Sequence, residues 1–204
     1  MTTKHTRGVL DLTFMDVDSE EKLSEQIRAE KIVQIRPPSP RRSPAKTDNE
    51  HANNSSIPVK TEAIKAIRLS NNQLKNMDML VGPMTANIDT REIQWLDLSF
   101  NHIISLGNGE NIAAAFPNVT TIYLHANKIS RLSQLKKLKA FPNLKSLSLY
   151  GNPIEEHKHY RNYVMHYCPN LTQFDSSPIT SSERVTNKIW SQTFRNALSK
   201  GEEV

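Results

Sequence analysis

His157, His159, His166 and Cys168 are residue types that ligate zinc, and they fall close together in the chain. A structural or catalytic zinc site needs three or four such donors converging on one point. These four follow a single helical stretch at spacings that spread them round it, so no metal is expected. Phosphate-cradling loops of the GxxxxGKS/T or GxGxxG kind are absent, and the whole chain has only six glycines,. No serine–histidine–aspartate or cysteine–histidine set stands out. Lys136, Lys137 and Lys139 are the nearest approach to an anion site, and they read most simply as the solvated face of a helix. Neither catalysis nor a cofactor or small-molecule substrate is therefore expected. What remains is aromatic: Trp95, Phe100, Tyr123, His125 and Tyr150 are side chains of the kind that anchor protein interfaces.

Composition narrows the class of partner. The chain has 204 residues and a formal net charge of +5, with 37% hydrophobic and 23% charged residues. That excess of positive charge is small and is not gathered into any run of five like charges, so nucleic acid is not expected as the primary partner. Cys168 is the sole cysteine; an intramolecular disulfide is impossible, which points to a reducing compartment. The N-terminal residues lack the apolar run of a secretory signal, and no stretch approaches the ~18 apolar residues that span a bilayer. A soluble, intracellular protein with no membrane partner is expected.

The elements that would position the aromatics repeat. A template LxxLxLxxNxL occurs four times: Ile64, Ile67, Leu69, Asn72, Leu74; Ile93, Leu96, Leu98, Asn101, Ile103; Val119, Ile122, Leu124, Asn127, Ile129; and Leu144, Leu147, Leu149, Asn152, Ile154. Alternation across each central pair, as in Leu96-Asp97-Leu98, is a short strand with one buried face. The chain must then turn away from the sheet, and an asparagine there satisfies backbone groups left unpaired by the turn. Asn72, Asn101, Asn127 and Asn152 thus predict a hydrogen-bonded ladder through stacked copies. Phe116-Pro117-Asn118, Phe141-Pro142-Asn143 and Cys168-Pro169-Asn170 precede strands at equivalent positions; proline there ends a convex helix, and Cys168, where two copies have phenylalanine, is expected in the core,. The stripe Leu132, Leu135, Leu138, Phe141 gives the convex helix its buried face. The repeat resembles the leucine-rich repeat. The expected fold is an α/β leucine-rich-repeat solenoid, with short parallel strands on the concave face and helices or 3-10 turns on the convex face.

This divides the chain into residues 1–60, an N-terminal tail; 61–154, four repeats; and 155–204, a helical cap. In the cap, Tyr160, Tyr163, Val164 and Tyr167 form an inward face. Thr180-Ser181-Ser182-Glu183 reads as a capping box, opening a helix that carries Val185, Ile189, Trp190, Phe194 and Leu198, all expected to fold back on the solenoid, the alternative being that Trp190 and Phe194 stay partly free to anchor a partner,. In the tail, residues 9–17 read as a docking strand, 19–33 as a short helix, and 36–56 as a proline-rich linker in which Ser39 and Ser43 precede proline,. Leu10, Leu12 and Phe14 are a candidate second contact, either with the solenoid's own edge or with a partner. The main binding surface is assigned to the concave rows: Arg68, Trp95, Asp97, Phe100, Tyr123, His125, Ser148 and Tyr150.

The tail end of the pattern, with Gly151-Asn152-Pro153-Ile154, Tyr160-Arg161, Tyr163-Val164, Cys168-Pro169-Asn170-Leu171, Phe174-Asp175 and Glu183-Arg184, resembles the SDS22-like class of leucine-rich-repeat proteins. That class contains phosphatase regulators, a spliceosomal protein and axonemal dynein light chains. Trp95-Leu96-Asp97-Leu98-Ser99-Phe100-Asn101, Tyr123-Leu124-His125 and Leu10-Asp11-Leu12-Thr13-Phe14 are further similar to a cilia- and flagella-associated family within it, although Ala126 stands where that family has glycine. The resemblance implies a non-catalytic cytoplasmic scaffold of the ciliary or flagellar axoneme, with tubulin or a tubulin-associated protein as partner. A phosphatase regulatory subunit and a ribonucleoprotein scaffold holding an RNA-binding protein are the alternatives.

Overall fold

The computed structural model describes residues 8–30 and 63–199; the linker assigned to 36–56, with Ser39 and Ser43, lies outside the described residues. Among the described residues seven strands form one sheet in chain order: β1 (Val9–Asp11), β2 (Ala66–Arg68), β3 (Trp95–Asp97), β4 (Thr121–Tyr123), β5 (Ser146–Ser148), β6 (Gln173–Phe174) and β7 (Ser177–Pro178). Neighbouring strands pair in parallel from β1 to β6, and β7 turns back antiparallel to close the end. The chain is therefore a leucine-rich-repeat solenoid.

Its core follows from the template. Leu96, Leu98 and Ile103, with their equivalents in the other copies, are essentially inaccessible to solvent. The asparagines form the ladder. Each side-chain amide donates to carbonyls of its own turn and of the preceding copy: Asn101 to Leu98 and Leu69, Asn127 to Leu124 and Leu98, Asn152 to Leu149 and Leu124, all at 2.7–3.1 Å. Each Oδ1 accepts a backbone N–H from the preceding copy: Asn72 from Val17, Asn101 from Leu74, Asn127 from Ile103 and Asn152 from Ile129, at 2.9–3.0 Å. One asparagine thus satisfies groups of two copies and adds buried side-chain bonds to the backbone ladder that joins them,.

Residues 8–30 take the first of the two expected positions, on the solenoid's own edge, and form more than a docked strand. Strand geometry covers only Val9–Asp11 rather than 9–17, and β1 pairs with β2 in the same parallel register that joins the later copies. Leu10, Leu12 and Val17 are buried, and Val17 N–H is the donor to Asn72. Leu10-Asp11-Leu12-Thr13-Phe14 followed by Val17 is a further copy of the repeat, with Met15 where the others have asparagine. The Met15 thioether supplies neither the amide donor nor the oxygen acceptor of the ladder asparagines,. The helix expected over 19–33 is α1 (Glu20–Ala29). Ser19 caps its first turn by accepting from Lys22 N–H, and Leu23 and Ile27 form its buried face.

The convex layer continues with α2 (Val81–Asn87) and α3 (Gly109–Ala115), then a 3-10 helix over Leu132–Ala140. The strict three-residue spacing of Leu132, Leu135 and Leu138 matches three residues per turn. Lys136 and Lys139 are exposed beside it, while the Lys137 ammonium reaches the Ser105 hydroxyl at 3.3 Å. The C-terminal cover is α4 (Tyr160–Tyr167), with Tyr160, Tyr163, Val164 and Tyr167 buried, and α5 (Ser181–Ser199). The capping box is present: Glu183 N–H donates to the Thr180 hydroxyl at 3.2 Å, and the Glu183 carboxylate accepts from Thr180 N–H at 2.8 Å. Bonding to that N–H, then to the Arg161 guanidinium, lowers the Glu183 pKa to about 2. Phe194 is buried and Trp190 half-buried, stacked 5.0 Å apart; Val185 and Ile189, expected to fold inward, are exposed on the opposite face of α5.

Candidate protein-docking site

Strand alternation puts Arg68, Asp97 and Tyr123 side by side on the concave face, each half-buried, because their leucine neighbours take the inward positions,. Trp95 lies in the adjacent row. Phe100, His125 and Tyr150 come from the strand exits. The structure joins these rings into one chain. Trp95 meets Tyr123 edge-on at 5.5 Å, Tyr123 meets His125 at 6.1 Å, Phe100 meets His125 edge-on at 5.3 Å, and His125 stacks on Tyr150 at 4.6 Å with planes 8° apart. Edge-to-face and offset contacts of this kind rigidify the rings without removing them from solvent. At one end the Arg68 guanidinium lies 5.3 Å over the Trp95 ring and 3.7 Å from the Asp11 carboxylate. At the other a pocket of about 200 Å³ opens among Tyr123, His125, Ser148, Tyr150, Gln173 and Ser176.

Two of the expected contacts change role. Ser148 is on the predicted row but buried at the wall of that pocket; its hydroxyl lies 2.9 Å from His125 Nδ1 and orients the imidazole. Leu10 and Leu12 belong to the core and are unavailable to a partner, which leaves Phe14 as the exposed member of that set. Burial lowers the His125 pKa below its ordinary value, against the opposing pull of Asp97 and Asp175, so the ring is neutral near pH 7,.

The strand-exit position carries a backbone signature that sequence reading missed. Phe14, Asn71, Phe100, Ala126 and Gly151 occupy it in successive copies, and all five have φ between 52° and 70°. Gly151 and Asn71 adopt this left-handed region readily; a phenylalanine there costs about 1–2 kcal/mol. Yet Phe14 and Phe100 are 75% and 54% exposed, so core burial does not offset that cost. Strain held at an exposed aromatic is a mark of a functional surface. Phe100→Gly is accordingly expected to stay within about 1 kcal/mol of the parent in stability, because relief of the strain offsets the lost ring contact and the added chain entropy. Chemical denaturation measures this; a loss beyond 2 kcal/mol would show that Phe100 is structural.

Asp175, one residue past β6, ties the end of the sheet to α4. Its carboxylate accepts Leu149 N–H at 2.6 Å, Tyr150 N–H at 3.0 Å and the Tyr160 hydroxyl at 2.8 Å. On the convex side the lysine stretch lines an open depression with Asn108, Gly109 and Glu110. Cys168 is buried, which pushes its thiol up to about 12 and leaves no thiolate near neutral pH,. Among the described residues no three of His, Cys, Asp or Glu are grouped to hold a metal ion, and no helix is long and apolar enough to cross a membrane.

Comparison with known proteins agrees with this architecture. A leucine-rich-repeat family model matches residues 49–201. Leucine-rich repeat-containing protein 51 of Bos taurus is 45% identical over 98 residues, 48% of this chain and 50% of that protein. The U2 small nuclear ribonucleoprotein A' of Candida albicans is 33% identical over 133 residues, 55% of this chain and 57% of that protein. The chain thus spans about half the length of the curated relatives it matches. Among solved structures, the Drosophila melanogaster SNF/U2A' complex contains a chain of TM-score 0.58 and 27% identity, covering 67% of this chain and 75% of that one. With three quarters of its length matched by the family model and the repeat ladder intact, this chain belongs to the leucine-rich-repeat family.

Proposed function

We propose that the chain is a non-catalytic adaptor that holds a protein partner on its concave face and serves as a structural component of the ciliary or flagellar axoneme. The observation that carries the adaptor reading is the connected row Trp95–Tyr123–His125–Tyr150 with Phe100, a rigid aromatic surface, half-buried at Trp95, Tyr123 and His125 and exposed at Phe100 and Tyr150, over a core that its neighbours already fill. Such clusters supply most of the binding energy in protein interfaces. The axonemal part rests on the likeness to cilia- and flagella-associated relatives read from Trp95–Asn101, Tyr123–His125 and Leu10–Phe14, and it makes tubulin or a tubulin-associated protein the expected partner. Proximity labelling from the tagged full chain in a ciliated cell tests it. Axonemal proteins should dominate the labelled set; labelling spread evenly through the cytosol would contradict the assignment.

A second reading has its own support. The likeness to U2A', solved as a complex with SNF, favours a scaffold that grips a protein of a ribonucleoprotein particle. RNase-sensitive association of the captured partner distinguishes this reading from the first.

A further inference from the structure

The concave face contains the same side-chain arrangement twice, and only one of the two has a cation of its own. Asp11 Oδ1 accepts the Thr13 N–H at 3.1 Å and the Thr13 hydroxyl at 2.6 Å. Asp97 Oδ1 accepts the Ser99 N–H at 3.1 Å and the Ser99 hydroxyl at 2.6 Å. In both, one oxygen is fixed by the turn and the carboxylate is held facing the concave surface. Asp11 has Arg68 beside it, and that guanidinium also covers the Trp95 ring. Asp97 forms no ion pair among the described residues. It lies between Arg68 and Tyr123 in the sheet register, with the Arg68 guanidinium turned to Asp11, and close enough to His125 to influence its titration.

We propose that the Asp97 carboxylate and the Tyr123, His125 and Phe100 rings form a recognition site for an arginine side chain carried by the partner protein. The inference rests on the concave-face reading above and names the chemistry of its occupant. A guanidinium is planar, stacks on aromatic faces and presents a fork of donors to a carboxylate, and it sheds water more easily than an ammonium. The Arg68 arrangement shows the same combination of carboxylate and ring holding an arginine within the chain. The groups facing His125 are Asp97, Asp175, Tyr123, Tyr150, Phe100 and the Ser148 hydroxyl. None is a cation. The neutral imidazole accommodates an arriving arginine, whereas a protonated one repels it.

Selection of a displayed library of random 12-residue peptides on the full chain tests the proposal, with depletion on the Trp95→Ala/Tyr123→Ala variant to retain concave-face binders. Those peptides should carry an arginine whose replacement by citrulline, which has the same shape without the charge, weakens binding about tenfold or more. Asp97→Asn should weaken the arginine peptide equally and the citrulline peptide little, since the asparagine oxygen can still accept from Ser99 and keep the turn. Acidification through the His125 titration should weaken the arginine peptide further. Concave-face peptides without arginine, or unaffected by citrulline or Asp97→Asn, would refute the proposal and leave the docking face standing. Peptides that bind the double variant as well as the parent, or a failure to select any, would count against both.

Discussion

Asn101→Ala is expected to lower the stability of the whole solenoid by about 3–5 kcal/mol. Its amide serves the carbonyls of Leu69, Leu98 and Ser99, and its oxygen takes the Leu74 N–H, all away from solvent. Each buried group left without a partner costs about 1–3 kcal/mol, and alanine can replace none of these bonds. A domain of this size has a total stability of about 5–15 kcal/mol, so the variant should unfold at much lower denaturant. His102→Ala, one position past Asn101 and exposed, is the control and should change stability by under about 0.5 kcal/mol,. Equal denaturation midpoints for Asn101→Ala and the parent would mean that the ladder is decorative.

Leu12→Asp should be as damaging, although it lies in a segment that composition assigns to a tail. Leu12 is fully buried, and its N–H donates to the Arg68 carbonyl at 2.8 Å. Removing a buried leucine costs about 2–5 kcal/mol, and placing a carboxylate there adds its desolvation. The loss should appear as a lowered Tm and as rapid hydrogen exchange at the Leu12 and Val17 amides. A variant with the parent's Tm would make the first copy a detachable arm after all.

These two residues mark what was legible in the sequence. Asn101 was visible because its bonds reach both ways along the stack, which forces the same residue into copy after copy at one offset from the leucines. The first copy escaped notice because Met15 replaces that residue and a proline-rich stretch separates it from the rest. The apolar frame Leu10, Leu12, Val17, identical in spacing to Leu96, Leu98, Ile103, was the signal that remained. Alternation located the concave row, including Trp95, Asp97 and Tyr123, since strand direction follows from the leucines alone. It could not show that Ser148 is covered and turned to His125, because burial of a small hydroxyl depends on the rings around it. Nor does residue type reveal backbone sign: Phe14 and Phe100 gave no hint of the left-handed geometry they share with Gly151. Val185 and Ile189 were placed inward by their apolar character, whereas the pitch of α5 turns Phe194 and Trp190 toward α4 instead.

The claim that function resides in the concave aromatic row is tested most directly by partner recovery on the full chain and its Trp95→Ala/Tyr123→Ala variant, tagged in the same ciliated cells. Both substituted side chains are half-buried at the surface and not in the leucine core, so the variant should keep the parent's circular dichroism and a cooperative thermal transition,. Proteins recovered with the parent should fall to background with the variant. Undiminished recovery by a folded double variant would contradict the account.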